Sequence, residues 1–369
     1  MPTTRAARRA AAERQLLELP SDVLGLILYQ LPLAHDIALA GLTCRLLRDA
    51  AKLAFKARPY SGEVVQLVGH RSGMHVEAAL DGRVITGSYD YSVKFWRGGE
   101  CVRTIEAHRG QVYAVALTPD ESRFFSLAGS SAACVKLWTF GGELERSYEF
   151  GQMRPRVVAV MPDGVHFVVG VVDVEGDGTV ESQIRLYHVD GTLVHSFDPC
   201  STYFTAMTVT PDGLHIISCG HKRNRVSDDH LVKVWSVASK SLLSTCKGHT
   251  NDVMAVAAMP DGQRILSGGF DKTVRVWLLN GTLKNTFTLH KKGVRALVAL
   301  PHNQHALSAS NDSTVKLFNV NDGAVLRKFT HHSAQVFSLA LMPDGLRFVS
   351  GSHDETACIV YHGLAPVSR

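Results

Sequence analysis

From residue 63 to residue 363 the sequence repeats itself with a period of about 40 to 50 residues, a spacing that dictates the fold before any single motif is read. Strand-like segments ending in an aromatic recur: SYDYSVKFW at Trp96, SAACVKLW at Trp138, ESQIRLY at Tyr187, DDHLVKVW at Trp235, FDKTVRVW at Trp277 and NDSTVKLF at Phe318. A seventh, weaker copy, HDETACIV, ends at Val360. Pro-Asp-Gly turns at Pro162, Pro211, Pro260 and Pro343 punctuate the copies, with variants at Pro119 and Pro301 and a bare Asp81-Gly82. Each such turn predicts a hairpin. One period therefore reads as an apolar segment such as Val253 to Ala258, a turn, a second segment such as Arg264 to Ser267, an Asp-bearing turn and the aromatic-ended strand. A fourth segment, such as Leu242 to Cys246, leads onward.

Four short strands per copy and seven copies resemble the WD-repeat β-propeller family over about four-fifths of the chain. Gly-His pairs stand at Gly69-His70 and Gly248-His249, with looser forms at His108, His290 and His332. The resemblance implies buried hydrogen-bonded sets made by His70, Thr86, Asp90 and Trp96, and by His249, Ser267, Asp271 and Trp277. Such groups tolerate burial only when partnered, so these histidines and aspartates read as structural and not as a catalytic dyad. The register also predicts ring closure. Glu63 to Leu67 form a strand without a blade, while the seventh copy stops after its third strand, so the first would complete the last and cover both open edges. Blades 2 to 4 depart from the pattern, with Ala132 at the turn aspartate of blade 2 and no Gly-His in blades 3 and 4.

Residues 16–55 have a helical rhythm, with Val23, Ile27 and Leu31 followed by Leu33, Ile37, Leu42 and Leu46. Ser21-Asp22 after Pro20 reads as a helix start, and breaks at Leu31-Pro32 and near Thr43 predict three short helices. Leu19-Pro20, Val23-Leu24, Leu31-Pro32 and Thr43-Cys44-Arg45 resemble the F-box motif, with Leu47 where many F-boxes carry Trp or Phe. That resemblance implies that Leu19, Pro20, Val23, Leu24, Ile27 and Leu31 face a Skp-type adaptor of a cullin–RING ligase. The alternative is a helical hairpin packed under the propeller. The expected organisation is a basic leader at 1–15, the helical module at 16–55, a linker at 56–62, the propeller at 63–363 and a tail at 364–369.

Composition removes several function classes. Of the formal +5 charge, Arg5, Arg8, Arg9 and Arg14 against Glu13 supply most, within a leader that reads as a solvated helix or tail, with an organelle transit peptide as the alternative. No apolar run is long enough for a membrane span. The seven cysteines, Cys44, Cys101, Cys134, Cys200, Cys219, Cys246 and Cys358, show no metal-ligand spacing and suit a reducing compartment, cytoplasm or nucleus. Asp173 to Gly178 mimic half a calcium loop, but Ile184 occupies the twelfth position. The basic residues Lys94, Lys136, Arg185, Lys233, Arg275 and Lys316 fall one per blade, a fold feature and not a nucleic-acid stripe. No catalytic motif, metal or cofactor is expected.

Function must then be read from a surface. Counting back from each hairpin turn puts Met74, Tyr113, Arg156, Thr205, Met254, Arg295 and Phe337 at one position near the rim, with Ser72, Gln111, Arg154, Tyr203, Asp252, Gly293 and Gln335 two residues earlier. Aromatic, Met and Arg residues suit a protein interface; the alternative is that they pack the inner strands. Two enlarged loops, acidic at Val171 to Glu181 and basic at Cys219 to His230 with Arg223 and Arg225, predict a site for an acidic or phosphorylated target segment, or else neutralise each other. The expectation is a non-catalytic substrate receptor of an SCF-type ubiquitin ligase. Its rival is a non-degradative WD-repeat scaffold.

Overall fold

In the computed structural model the described residues are 64–78, 82–129, 133–174, 180–200, 203–221 and 230–364. Residues 16–55, expected to be helical, the leader, and with them all six residues expected to face an adaptor, lie outside that set, as do Arg223 and Arg225. Residues 64–343 with 347–360 form one compact unit, which carries the propeller. A second unit takes 1–63, 344–346 and 361–369; in it His362 Nε2 donates to the Gly345 carbonyl at 2.7 Å. Among the described residues no helix is long and apolar enough to cross a membrane.

The seven sheets each contain four antiparallel strands. Blade 1 spans 74–106, blade 2 112–149, blade 3 154–196, blade 4 203–246, blade 5 253–288 and blade 6 294–329. Blade 7 takes three strands from 336–361 and its fourth from Val64–Val68, which pairs with Thr356–Tyr361 in the register Val64↔Val360 to Val68↔Thr356. The strand that precedes the first repeat thus closes the ring, as the repeat register predicts. Leu67 on it is wholly buried.

The hairpin turns show why the sequence folds this way. In Pro260-Asp261-Gly262, Gly262 takes φ +66° and the Asp261 carboxylate accepts the Gln263 and Arg264 amides at 2.9 and 3.1 Å. That fixes the first hairpin of blade 5 locally. Second strands such as Arg264–Gly269 are buried on both faces, whereas the fourth strands of blades 1 and 2 expose side chains at most positions. The core therefore lies between neighbouring blades, as in the cluster of Phe95, Phe124 and Trp138 joining blades 1 and 2. Close approach demands small residues there: a Cβ on Gly268 would lie 2.5 Å from Val294 on the next blade.

Two details differ from the sequence reading. The acidic stretch of blade 3 is not simply a loop: strands run His166–Val174 and Val180–His188, and Asp173 pairs with Glu181 in the ladder. Alternating apolar residues on the paired backbone outweigh the turn-forming composition. Second, six of the first strands carry a one-residue irregularity, at Tyr113, Arg156, Thr205, Met254, Arg295 and Phe337. An extra residue there bends the strand and re-aims its side chain. Blade 1 pairs Met74↔Ser88 to Ala78↔Val84 without a shift, so Met74 falls on the buried side and is core, not rim.

Candidate functional site

The polar sets inside the blades absorb most of the titratable residues that would otherwise suggest chemistry. In blade 5, Trp277 Nε1 donates to Ser267 Oγ at 2.7 Å, Ser267 Oγ lies 2.7 Å from His249 Nε2, and His249 Nδ1 lies 2.7 Å from Asp271. The network fixes the tautomer: Nδ1–H donates to the carboxylate and Nε2 accepts the serine hydroxyl. Blade 1 repeats it with Trp96, Thr86, His70 and Asp90 at 2.8, 2.7 and 2.8 Å. Burial alone would raise the Asp90 and Asp271 carboxyls, but the histidines and turn donors hold both far below the usual range. A His–Asp pair repeated in four blades and wedged under Trp or Phe in three of them is a fold element.

The irregular blades are 2 to 4. His108 in blade 2 meets Ser126 at 2.7 Å and, in place of an aspartate, Cys134 Sγ at 3.5 Å. Blade 4 keeps only the Trp235 bond to Ser218, and in blade 3 the buried Ser182 hydroxyl has no side-chain partner. The recurring cations are likewise spent: Lys136 donates to the Ala107 carbonyl at 2.8 Å, and Arg275 lies 5.9 Å from the Trp277 ring.

What remains is a belt built from the first strands and from the residues that follow the second strands. Arg156 lies between two rings, 5.2 Å from Tyr113 and 4.5 Å from Tyr203. Arg295 is held likewise, 4.9 Å from Phe270 and 5.4 Å from Phe337. Tyr89 joins the two groups, 5.4 Å from Tyr113 and 6.2 Å from Phe337. On the other side Tyr203 meets His221 at 5.2 Å, and His221 lies 3.9 Å from Asp252, whose carbonyl accepts the Phe270 amide at 2.8 Å. The contacts run through all seven blades and close on themselves.

Electrostatically the belt is lopsided. Asp252 is matched by His221 and by His230 at 3.2 Å. Neither arginine has an acidic partner among the described residues: Arg295 Nε donates to Asn311 at 3.0 Å, and Arg156 Nε is buried without a hydrogen bond. Burial lowers the Arg295 pKa, and burial together with Arg295 pushes His75 down to about 4, so that imidazole is neutral at pH 7. Stacking on rings recovers part of the desolvation cost of a guanidinium and blocks only its faces, leaving the terminal N–H groups, apart from the Nε donors, to meet an oxyanion.

The sequence singled out Tyr113, Arg156, Tyr203, Arg295 and Phe337, and the structure brings these five together. Arg154 is exposed one turn of the pleat away, Met254 is half-buried at the blade 5 irregularity, and Thr205 is turned inward, donating to the Val253 carbonyl at 2.6 Å. Sequence reasoning missed Tyr89, Phe270 and His353. A signal was present: each immediately precedes a turn aspartate, Asp90, Asp271 or Asp354. Glycines mark the space their rings need, since a Cβ on Gly293 would lie 2.3 Å from Phe270, on Gly129 2.6 Å from Tyr113 and on Gly73 2.7 Å from Phe337.

The family model for the WD domain, G-beta repeat, matches residues 99–139, 191–236, 240–277, 281–319 and 323–360, more than half of the chain. The chain belongs to the WD-repeat family. This WD-repeat chain is similar to nuclear distribution protein PAC1-2 of Uncinocarpus reesii, 27% identical over 202 residues, covering 51% of the chain and 40% of that protein. It is similar to protein FIZZY-RELATED 2 of Arabidopsis thaliana, 24% identical over 229 residues, covering 52% and 46% respectively. A third relative, WD repeat-containing protein srw1 of Schizosaccharomyces pombe, is 30% identical over 105 residues, 28% of the chain and 18% of that protein. The chain spans less than half the length of each of these relatives.

Proposed function

We propose that the propeller is a protein-recognition platform whose belt captures an acidic segment of a target, and that the whole chain is the non-catalytic target receptor of an SCF-type ubiquitin ligase. The carrying observation for the first part is the pair of ring-stacked arginines, Arg156 and Arg295, without acidic partners among the described residues. Rigid aromatic surface with a few fixed donors is what peptide-binding hot spots require. The ligase half is supported by the F-box resemblance of Leu19-Pro20, Val23-Leu24 and Leu31-Pro32. The receptor would raise the local concentration of target lysines near a conjugating enzyme, and chemistry would reside elsewhere in the complex.

Two arms test the reading separately. Purified full-length chain is expected to bind a Skp-type adaptor, and Leu19→Asp with Ile27→Asp to abolish that binding while the propeller melts unchanged. Absence of binding by the wild type would leave a propeller scaffold and refute the ligase half. For the belt, an array of acidic and phosphorylated peptides is expected to lose binding roughly tenfold or more per arginine in Arg156→Ala and Arg295→Ala, the range for a charge-assisted pair. Equal binding by both variants would remove the belt as the target site.

A further inference from the structure

Blade 7 departs from the other blades at three positions at once, and the three changes meet in space. Where the other six blades place an aromatic ring at the end of the third strand, Trp or Phe in five of them and Tyr187 in blade 3, blade 7 has Val360. Where they carry a cation at the middle of that strand, it has Cys358. Ahead of the tetrad histidine, where Gly69 and Gly248 stand in blades 1 and 5, it has His331. Steric reasoning links the first and third exchanges. A Cβ on Gly69 or Gly248 would lie 3.2 or 3.4 Å from the six-membered ring of Trp96 or Trp277; with Val360 in place of that ring, an imidazole fits. His331 Nε2 then lies 2.9 Å from Ser350 Oγ, the hydroxyl that also meets His332 Nε2 at 2.8 Å. It occupies the place from which the indole N–H donates in blades 1, 2, 4 and 5.

Filling the space of a tryptophan would be met by any ring of that size. A thiol on the adjacent strand adds something a packing role does not require. Ligand atoms of His331, His332 and Cys358 all lie within 4.8 Å of one another. Cys358 and His332 are buried, while His331 is half-exposed and gives a route in from solvent. His332 Nδ1 lies 2.8 Å from Asp354, which directs the Nε2 lone pair inward. A carboxylate behind the histidine is the usual support for a metal-bound imidazole, orienting the ring and raising its basicity.

We propose that His331, His332 and Cys358 form a zinc site that pins the closing blade. Two imidazoles and a thiolate match zinc's preference for nitrogen and sulfur ligands in tetrahedral array, the fourth position being left to water. Binding releases the Cys358 thiol proton to solvent; the ion, the thiolate and the Asp354 carboxylate then sum to zero charge. Cys358 pairs with Gln66 on the strand that closes the ring, so the ion would tie the segment entering blade 7 to the strand holding the closure.

The test uses the full chain stripped with chelator and titrated with Co2+, followed by Zn2+ competition. A thiolate-to-cobalt band in the near ultraviolet is expected to saturate at one equivalent and to disappear when Zn2+ is added. Cys358→Ser is expected to abolish the band. His331→Leu, tolerated because Leu289 stands at the same position in blade 6, is expected to weaken binding roughly tenfold or more. One equivalent of Zn2+ is expected to raise the thermal midpoint of wild type, to raise that of His331→Leu by less, and to leave that of Cys358→Ser unchanged. No thiolate band in the wild type, or an undiminished band in Cys358→Ser, would overturn the site; Zn2+ stabilising His331→Leu as much as wild type would do the same.

Discussion

Replacing Ser267 by alanine removes a single oxygen and strands two buried partners. Ser267 is wholly buried, and its hydroxyl accepts from Trp277 Nε1 while donating to His249 Nε2, each at 2.7 Å. Without it the indole N–H and the imidazole lone pair are desolvated with no partner, and each orphaned group costs about 1–3 kcal/mol. The two together predict a loss of roughly 2–6 kcal/mol for Ser267→Ala. Ser267→Thr provides the control, because Thr86 performs the same two bonds in blade 1 at 2.8 and 2.7 Å. At about 2 °C per kcal/mol for a large domain, the alanine variant should melt roughly 4–12 °C lower, and the threonine variant close to wild type. A propeller of this size need not unfold in one step, so the decisive assay is native-state hydrogen exchange, with protection lost first in the amides of blade 5. Equal stability of the alanine and threonine variants would refute the claim that the serine hydroxyl holds the tetrad together.

Three further outcomes follow from the geometry. Burial raises the Asp312 carboxyl, but Thr314, the Lys291 amide and His290 outweigh it and bring it to about 2. A carboxylate depressed in the folded state stabilises fully above its ordinary pKa and loses that contribution as pH falls through the folded value, so urea midpoints should drop steeply between pH 4 and 2, less so in Asp312→Asn. His108, pushed down to about 4 by burial and Lys136, adds a separate loss as pH falls from 6.5 to 4, and a flat midpoint over that range would contradict its burial as a neutral ring. Gly293→Ala, whose Cβ would meet Phe270 at 2.3 Å, should cost about 1–3 kcal/mol and loosen the Arg295 stack; undiminished thermal stability and peptide binding would show that the ring can simply step aside.

The blade architecture was legible because its signals are local. Pro-Asp-Gly turns satisfy their own backbone within four residues, and the apolar segment Val253 to Ala258 coincides with the observed strand. Ring closure was legible because one strand stands unassigned before the first copy and the last copy is one strand short. The site was legible only by halves. Counting along first strands finds Arg156 and Phe337, but not Tyr89 or Phe270, which arrive from the far end of the second strands. Met74 was misplaced because the absence of one bulge residue leaves no mark in a strand's composition and yet reverses the side a residue faces. His331, His332 and Cys358 were invisible as a group because strand pairing, not sequence spacing, brings the thiol beside the imidazoles.

The closing strand sets a timetable for synthesis. Val64 emerges from the ribosome roughly 300 residues before its partner Val360, which at about 5–20 residues per second is a delay of about 15–60 s. Throughout that interval the apolar strand Val64–Val68 has no edge to join, and the sheet of blade 7 does not yet exist. Six blades can form in order as they are made, but the ring is sealed only once the strand Thr356–Tyr361 has been synthesised. A nascent chain of this protein therefore carries an unpaired strand next to its first blade, and any premature stop before Thr356 would leave that strand permanently open to pairing with another chain.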